Sequence, residues 1–446
     1  MKTFEIGGVH PPENKYTAGK AIKTMPVPAK VVIPVAQHIG APAVPCVQKG
    51  DKVKIGQTIA TAGGFVSANI HSSVSGTVAD VAPVKDAVGN SKLAITIKTE
   101  GEEYDESIVK NPKSIEELTK EEIVKAISKA GIVGMGGATF PTHVKLTPPP
   151  GNKAEYLIIN AGECVPYLTA DPELMMEKSD DIIKGVRILM KGIGVDKAVI
   201  GIENNKPDAI EIMTKAVSQF PGIEVCPLKV RYPQGGEKQL IKATTGRSVP
   251  SGALPISVGA VVQNVGTTYA VYEAVMLNKP LIERIVTVTG ESVKEPGNFL
   301  CRIGTPISQV IEFAGGLPED TGKIIGGGPM MGKTMTNIES PVMKGTSGIL
   351  ILPEKKSLRN AERPCIKCAK CVSACPMGLE PYLLATVMEE TGNLERLEEE
   401  DIMDCIECGC CTFTCPANRP LLDFIRIGKA KTGAMIRNRK TTTSKS

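Results

Sequence analysis

At 446 residues the chain is too long for one hydrophobic core and long enough for two to four domains. Its 42% hydrophobic and 22% charged residues are ordinary globular usage and exclude wholesale disorder. With 52 basic against 48 acidic residues the net charge is only +4, which gives no case for a nucleic-acid partner.

Residues 1–10 lack the basic start and apolar run of a secretory leader, so the chain is expected on the cytoplasmic side of its membrane. Two stretches without Asp, Glu, Lys or Arg, 31–48 and 248–272, are broken by prolines or crowded with Gly, Ser, Thr and Asn. No spanning helix is expected of the chain itself. From residue 31 to 98 short apolar runs alternate with turn residues such as Gly50-Asp51, Gly63-Gly64 and Gly89-Asn90, which predicts a small all-β unit. The phrases Gly50-Asp51-Lys52-Val53, Gly56-Gln57 and Ser75-Gly76-Thr77-Val78 resemble the barrel-sandwich hybrid fold of biotinyl and lipoyl domains. The carrier lysine of those domains would fall near Phe65 and Val66. None is there, so a packing or docking role is expected rather than a swinging arm.

A polar stretch, 100–114, marks a boundary. Thr119 with Glu122 forms a capping box, and Ile123, Ile127 and Ala130 follow at helical spacing, predicting a helix over 120–130 that Gly131 ends. The runs at 156–160 and 198–202 predict buried strands, and Pro207 opens a further helix, an α/β alternation. Residues 281–352 return to short β runs, with turns at 295–297 and 326–329 and one helix around 307–314. A cysteine-rich, mostly helical module spans 364–426. After Asp423 come only basic charges, at Arg426, Lys429, Lys431, Arg437, Arg439, Lys440 and Lys445, and this tail is expected to be disordered.

Thirteen cysteines in a reducing compartment argue for metal ligation over disulfides. Eight of them form two runs offset by forty residues: Cys365, Cys368, Cys371 and Cys375 followed by Pro376, then Cys405, Cys408, Cys411 and Cys415 followed by Pro416. Three thiolates at this spacing wrap one iron–sulfur cube, and the fourth ligates the other cube. The spacing therefore assigns Cys365, Cys368, Cys371 and Cys415 to one [4Fe–4S] cluster, and Cys405, Cys408, Cys411 and Cys375 to the second. Zinc also uses Cys-x-x-Cys pairs, but it has no need of the third cysteine, the trailing proline or the duplication. Cys410 is surplus, and Cys46, Cys164, Cys226 and Cys301 are expected to be buried small hydrophobes.

Clusters pass single electrons, so a hydride source or sink would require a flavin as converter. The glycine loop at 134–138 leaves backbone amides uncovered, which suits phosphate or an isoalloxazine edge, although such loops are also plain turns. The segment from Gly131 through Gly134, Met135, Gly136, Gly137, Ala138, Phe140 and His143 to Lys145 resembles the flavin loop of the NADH-oxidising subunit of respiratory complex I. Asn160 to Glu163, Gly235-Gly236-Glu237 and Gln263 to Thr267 resemble that family's further flavin segments, and the similarity covers roughly 120–350, including a β-grasp unit of the soluble-ligand-binding type. The resemblance implies that Gly134, Gly136, Gly137 and Ala138 line FMN, and that Lys145 neutralises its phosphate. It further implies that Asn160, Glu163, Gly236, Asn264 and Thr267 bind the cofactor, and that Phe140 and Glu237 face NAD(H). Lys238 and Gly162 stand where that family has acids.

The opening Gly7-Gly-Val-His-Pro-Pro-Glu-Asn-Lys15 and the overall order resemble the C-subunit family of Rnf complexes, membrane-bound ferredoxin:NAD+ oxidoreductases that move Na+ or H+. That resemblance implies a peripheral protein on the cytoplasmic face, partnered by the Rnf membrane and iron–sulfur subunits and, through them, by ferredoxin. The expected organisation is multidomain α/β. It comprises a barrel-sandwich-like β unit (1–112), an FMN/NADH-binding α/β domain (113–280), a β-grasp domain (281–353), a helical 2[4Fe–4S] ferredoxin-type domain (354–428) and a basic tail (429–446). Two other readings stay open, a soluble flavin and iron–sulfur cobalamin reductase and a non-enzymatic iron–sulfur carrier.

Overall fold

A computed structural model describes residues 1–443. Strands Lys30–Pro34, Ser91–Thr99, Gly76–Lys85 and Lys52–Val53 pair antiparallel in that order, and Val44–Pro45, Thr58–Thr61 and Ile70–His71 make a second sheet. Side chains alternate across a strand, so Val31, Ile33, Ile95 and Ile97 of the first sheet meet Ile59 and Ile70 of the second in one buried core. The turn where a carrier lysine would sit docks instead: the Phe65 carbonyl lies 3.3 Å from His143 Nε2 at the edge of the next domain.

That domain is built on four parallel strands in the order Ile223–Leu228, Ala198–Glu203, Tyr156–Asn160, Ala260–Asn264. Three of them are nearly continuous buried runs because both faces are covered, while the edge strand Ile223–Leu228 exposes Glu224 and Pro227. Leu157, Ile159, Ile200 and Ile202 pack under the helices Lys120–Lys129, Ala170–Ile193, Pro207–Val217 and Val265–Met276, while Ile158, Val199 and Val262 meet Leu240 and Ile241 of Glu237–Thr245. The capping box forms, with Glu122 N donating to Thr119 Oγ1 and Thr119 N to Glu122 Oε2. The chain runs outward from Tyr156–Asn160 in one direction and places Ala260–Asn264 on its other side. The crevice between these two strands, at their carboxyl ends, is therefore the switch point where α/β sheets bind ligands.

A six-stranded mixed sheet follows, in the order Lys23–Thr24, Gly297–Arg302, Glu283–Thr289, Gly348–Pro353, Thr321–Gly326, Lys333–Thr334, with the helix Ile307–Phe313 on one face. Its outermost strand comes from the N-terminus, and Lys2 and Val9 bridge to Leu228 and Tyr232, so residues 2–24 lie outside the barrel and cross the other units. The C-terminal module is helical, as expected. Its basic tail is not disordered: the helix Leu421–Thr443 runs through it. The reason is tertiary, because Ile425 and Thr432 are buried, Lys429 caps the Cys405 carbonyl and Arg439 pairs with Glu398 at 2.9 Å. Lys445 lies outside the described residues. Among the described residues, no helix is long and apolar enough to cross a membrane.

Candidate functional site: a glycine-loop crevice and paired cysteine runs

The glycine loop lies over the switch-point crevice. Gly134 N donates to the Phe140 carbonyl (2.9 Å), closing the loop, and Met135 N donates to Thr267 Oγ1 (2.8 Å), pinning it to the helix after the fourth strand. Gly136, Gly137 and Ala138 are exposed. A Cβ on Gly136 would stand 3.0 Å from Asn264 Cβ, whereas nothing lies within 4 Å of one on Gly137. The loop thus presents bare backbone toward Asn264, which caps the helix Val265–Met276 by accepting from Gly266 N and Thr267 N and donates to Asp171 Oδ2 at 2.7 Å. Asn160, at the end of the neighbouring strand, donates to the Gly235 carbonyl (2.8 Å) and so ties the 235–237 turn to the crevice.

Two expected ligand-binding residues hold each other. Lys145 Nζ donates to Glu237 Oε1 at 2.8 Å and to the Val262 carbonyl at 3.0 Å. Thr267 is fully buried with its hydroxyl bonded to the loop, so it shapes the site rather than facing it, and Gly236 is the N-cap of the helix Glu237–Thr245. Lys238, where the complex I family has an acid, instead reaches Asp404 of the cysteine-rich module at 3.8 Å.

Glu163 Oε2 is buried without a hydrogen-bond partner, while Oε1 accepts from Asp171 N at 3.4 Å. Burial, and then the Asp171 carboxylate beside it, push the Glu163 carboxyl up to about 8 against the pull of Lys15 and Lys206. Burial also raises Asp171. The surrounding charges were not legible as site residues. Arg284, from the β-grasp sheet, donates to the Met135 carbonyl at 2.8 Å and so supports the glycine loop from below. Lys206 lies 3.4 Å from Glu203 at the end of a neighbouring strand. These partners are 149 residues apart for Met135 and Arg284 and share no motif, so only the fold brings them together. An orphaned buried carboxylate oxygen, bare glycine backbone and nearby cations together fit a polar, phosphate-bearing ring system such as FMN.

The two cysteine runs repeat in backbone as well as in spacing. Lys367 and Ala369 in the first, and Glu407 and Gly409 in the second, all take positive φ (55°, 56°, 55° and 81°), followed by the short helices Lys370–Ser373 and Cys410–Thr414. Left-handed residues between cysteines turn successive N–H groups toward one concavity, the nest geometry found at iron–sulfur sites. Cys375, Cys405, Cys408 and Cys411 line one cavity, together with the surplus Cys410 and with Pro376, Leu384 and Ile425. Cys415 packs against the apolar cluster that contains Cys371, whereas Cys365 and Cys368 are exposed. All-thiolate sets drawn from both runs suit four-iron cubes. Cys226 and Cys301 are buried as expected, but Cys46 is exposed on a barrel edge and Cys164 is half-buried, accepting from Gly235 N at 3.2 Å. Cys410 is buried against the Tyr232 carbonyl.

Both runs are tied to the α/β domain, the second through Cys408 and the first through the Pro376 turn that ends it. Tyr232 Oη donates to the Cys408 carbonyl (2.9 Å), and Gln239 Nε2 donates to the Pro376 carbonyl (3.1 Å).

Comparison with known proteins agrees with this layout. A model of the Nuo51 FMN-binding domain matches residues 127–273, one of the RnfC barrel sandwich hybrid domain 2–102, and one of the SLBB domain 285–334. The C subunit of the proton-translocating ferredoxin:NAD(+) oxidoreductase complex of Clostridium ljungdahlii is 48% identical over 437 residues, 97% of this chain and 95% of that protein. The C subunit of the Na(+)-translocating ferredoxin:NAD(+) oxidoreductase complex of Acetobacterium woodii is 44% identical over 428 residues, 96% of each. Among solved structures, an air-oxidized NAD+-reducing [NiFe]-hydrogenase shares the fold at a TM-score of 0.50 and 19% identity, over 69% of this chain and 63%, less than two-thirds, of that one. On full-length similarity, the chain belongs to the C-subunit family of ion-translocating ferredoxin:NAD+ oxidoreductase complexes.

Proposed function

We propose that this chain is the NAD(H)-reacting subunit of a membrane-bound ferredoxin:NAD+ oxidoreductase of the Rnf type. It would pass electrons between NAD(H), FMN and two [4Fe–4S] clusters while the assembly couples their flow to Na+ or H+ transport. The observation that carries the reading is that the cavity lined by Cys375, Cys405, Cys408 and Cys411 packs, through Tyr232 and Gln239, on the turn that leads into the glycine-loop crevice. FMN supplies the exchange between hydride and single-electron chemistry.

In this proposal the backbone of Gly134, Gly136, Gly137 and Ala138, with Asn160, Glu163, Gly236 and Asn264, holds the flavin, while Thr267 and Arg284 hold the loop. Lys145 takes the phosphate and Glu237 and Phe140 face the nucleotide. Parting Lys145 from Glu237 is cheap, because the side chains are 28% and 41% exposed and such pairs contribute about 0–1 kcal/mol. The cluster of Cys405, Cys408, Cys411 and Cys375 is the inner one. The cluster of Cys365, Cys368, Cys371 and Cys415 is the outer one, and its exposed run faces the iron–sulfur and membrane partners at the cytoplasmic surface.

Similarity over nearly the whole length, barrel included, supports this reading over a cobalamin reductase or a flavin-free carrier. Anaerobic purification with iron, sulfide and flavin analysis, followed by NADH-dependent reduction of an artificial acceptor, tests it. Iron without FMN and without NADH oxidation would leave only the carrier reading.

A further inference from the structure

The motif at residues 7–15 takes no part in the crevice or the cysteine runs as described, yet its path joins them. At one end Gly8 N donates to the Ala374 carbonyl (2.9 Å), and Gly7, at φ +69°, presses so closely that a Cβ there would lie 2.4 Å from the Cys375 carbonyl carbon. In the middle Val9 and Tyr232 exchange two backbone hydrogen bonds (2.8 and 2.9 Å). At the other end the Glu13 carbonyl accepts from Tyr167 N (2.8 Å), and Lys15 Nζ donates to the carbonyls of Glu163, Val165 and Leu168 at 2.9, 2.9 and 2.6 Å.

The turn gripped by Lys15 needs an outside hold. Glu163 and Tyr167 both take positive φ, 39° and 73°, conformations that cost about 1–2 kcal/mol each and persist only where the surroundings over-determine them. An ammonium has three donors, and here all three meet main-chain oxygens of one turn. Lys15 is thus a geometric clamp rather than a partner for one carboxylate. The charged and titratable groups around it are Glu163, Lys206, Cys164 and Glu203, and those facing Glu163 further include Asp171 and Arg284.

We propose that residues 7–17 are a positioning strap, with Lys15 as its decisive residue, holding the 163–168 turn and its Glu163 over the flavin crevice in fixed relation to the Cys375 turn. This rests on the FMN reading above. The test compares wild type, Lys15→Met and Lys15→Arg as full-length chains. It reads amide exchange at Tyr167, FMN dissociation, the visible circular dichroism of bound FMN, and iron content. Both variants should speed Tyr167 exchange and raise the FMN dissociation constant by about tenfold each, with altered flavin dichroism and unchanged iron. Lys15→Arg keeps the charge but spreads its donors over a larger planar fork that does not match three oxygens gathered about one nitrogen, so it gives the same reading if Lys15→Met does not fold. Unchanged exchange and FMN affinity in whichever variant folds overturn the strap. A wild type that binds no FMN, yet whose protected Tyr167 amide is released by the variants, sinks the flavin reading and supports the strap.

Discussion

The two cysteine runs share spacing, left-handed turns and short helices, yet the fold treats them differently. The second packs Cys408 against Tyr232 and Gly409 against the loop carrying Met330, whose carbonyl a Cβ on Gly409 would approach to 2.6 Å, while the first buries Cys371 and Cys375 but leaves Cys365 and Cys368 in open coil. A repeated motif therefore sets what is bound, and its packing sets what it exchanges electrons with. In the proposed wire the enclosed site faces the flavin and the open one faces outward.

The sharpest way to break that contrast is a pair of ligand variants. Cys408→Ser and Cys368→Ser should each lower iron from roughly eight to roughly four per chain. Only Cys408→Ser should stop NADH from reducing the cluster that remains. If Cys368→Ser stops it and Cys408→Ser does not, inner and outer are reversed.

Next in size are changes on the flavin side alone. Gly136→Glu drives a side chain into Asn264, and Arg284→Met removes the donor to the Met135 carbonyl. FMN retention should vanish in the first and fall at least about tenfold in the second, with iron near wild type in both. Joint loss of iron and flavin would mean that the two regions do not fold as separable sites.

A smaller effect distinguishes the regions by pH. Because the folded state holds the Glu163 proton more tightly than the unfolded chain does, folding binds an extra proton between the ordinary 4.5 and about 8. Stability should therefore fall as pH rises through that window, and Glu163→Gln should flatten the decline in thermal melts of the apo chain. An unchanged slope would place the titration elsewhere. Smallest is Tyr232→Phe, which removes the hydroxyl bond to the Cys408 carbonyl and should cost about 0.5–1.5 kcal/mol in denaturant melts, with FMN affinity unmoved.

What could be read in the sequence was local. The Thr119–Glu122 capping box, the strand Tyr156–Asn160, the helix Ile307–Phe313 and the cysteine spacing depend on residues within a few positions of each other, where chain geometry leaves little choice. The basic tail misled for the converse reason: its composition reads as solvated, but Thr432 and Ile425 are buried by the helices before it. Likewise Lys145 and Glu237, each given a ligand by motif, lie 92 residues apart and meet in an ion pair that no local pattern announces.

By itself, then, the sequence determined the chemistry available here: thiolates at cluster spacing, a glycine loop with bare amides, and alternating units that build each core. Only the tertiary structure decided the arrangement. It brought Cys375 to Cys405, Cys408 and Cys411, set Arg284 beneath the loop and laid residues 7–15 between the 163–168 turn and the Cys375 turn. Those contacts join groups far apart along the chain, as with Gly8 and Ala374, and their geometry follows from how separate cores pack rather than from any run of neighbours.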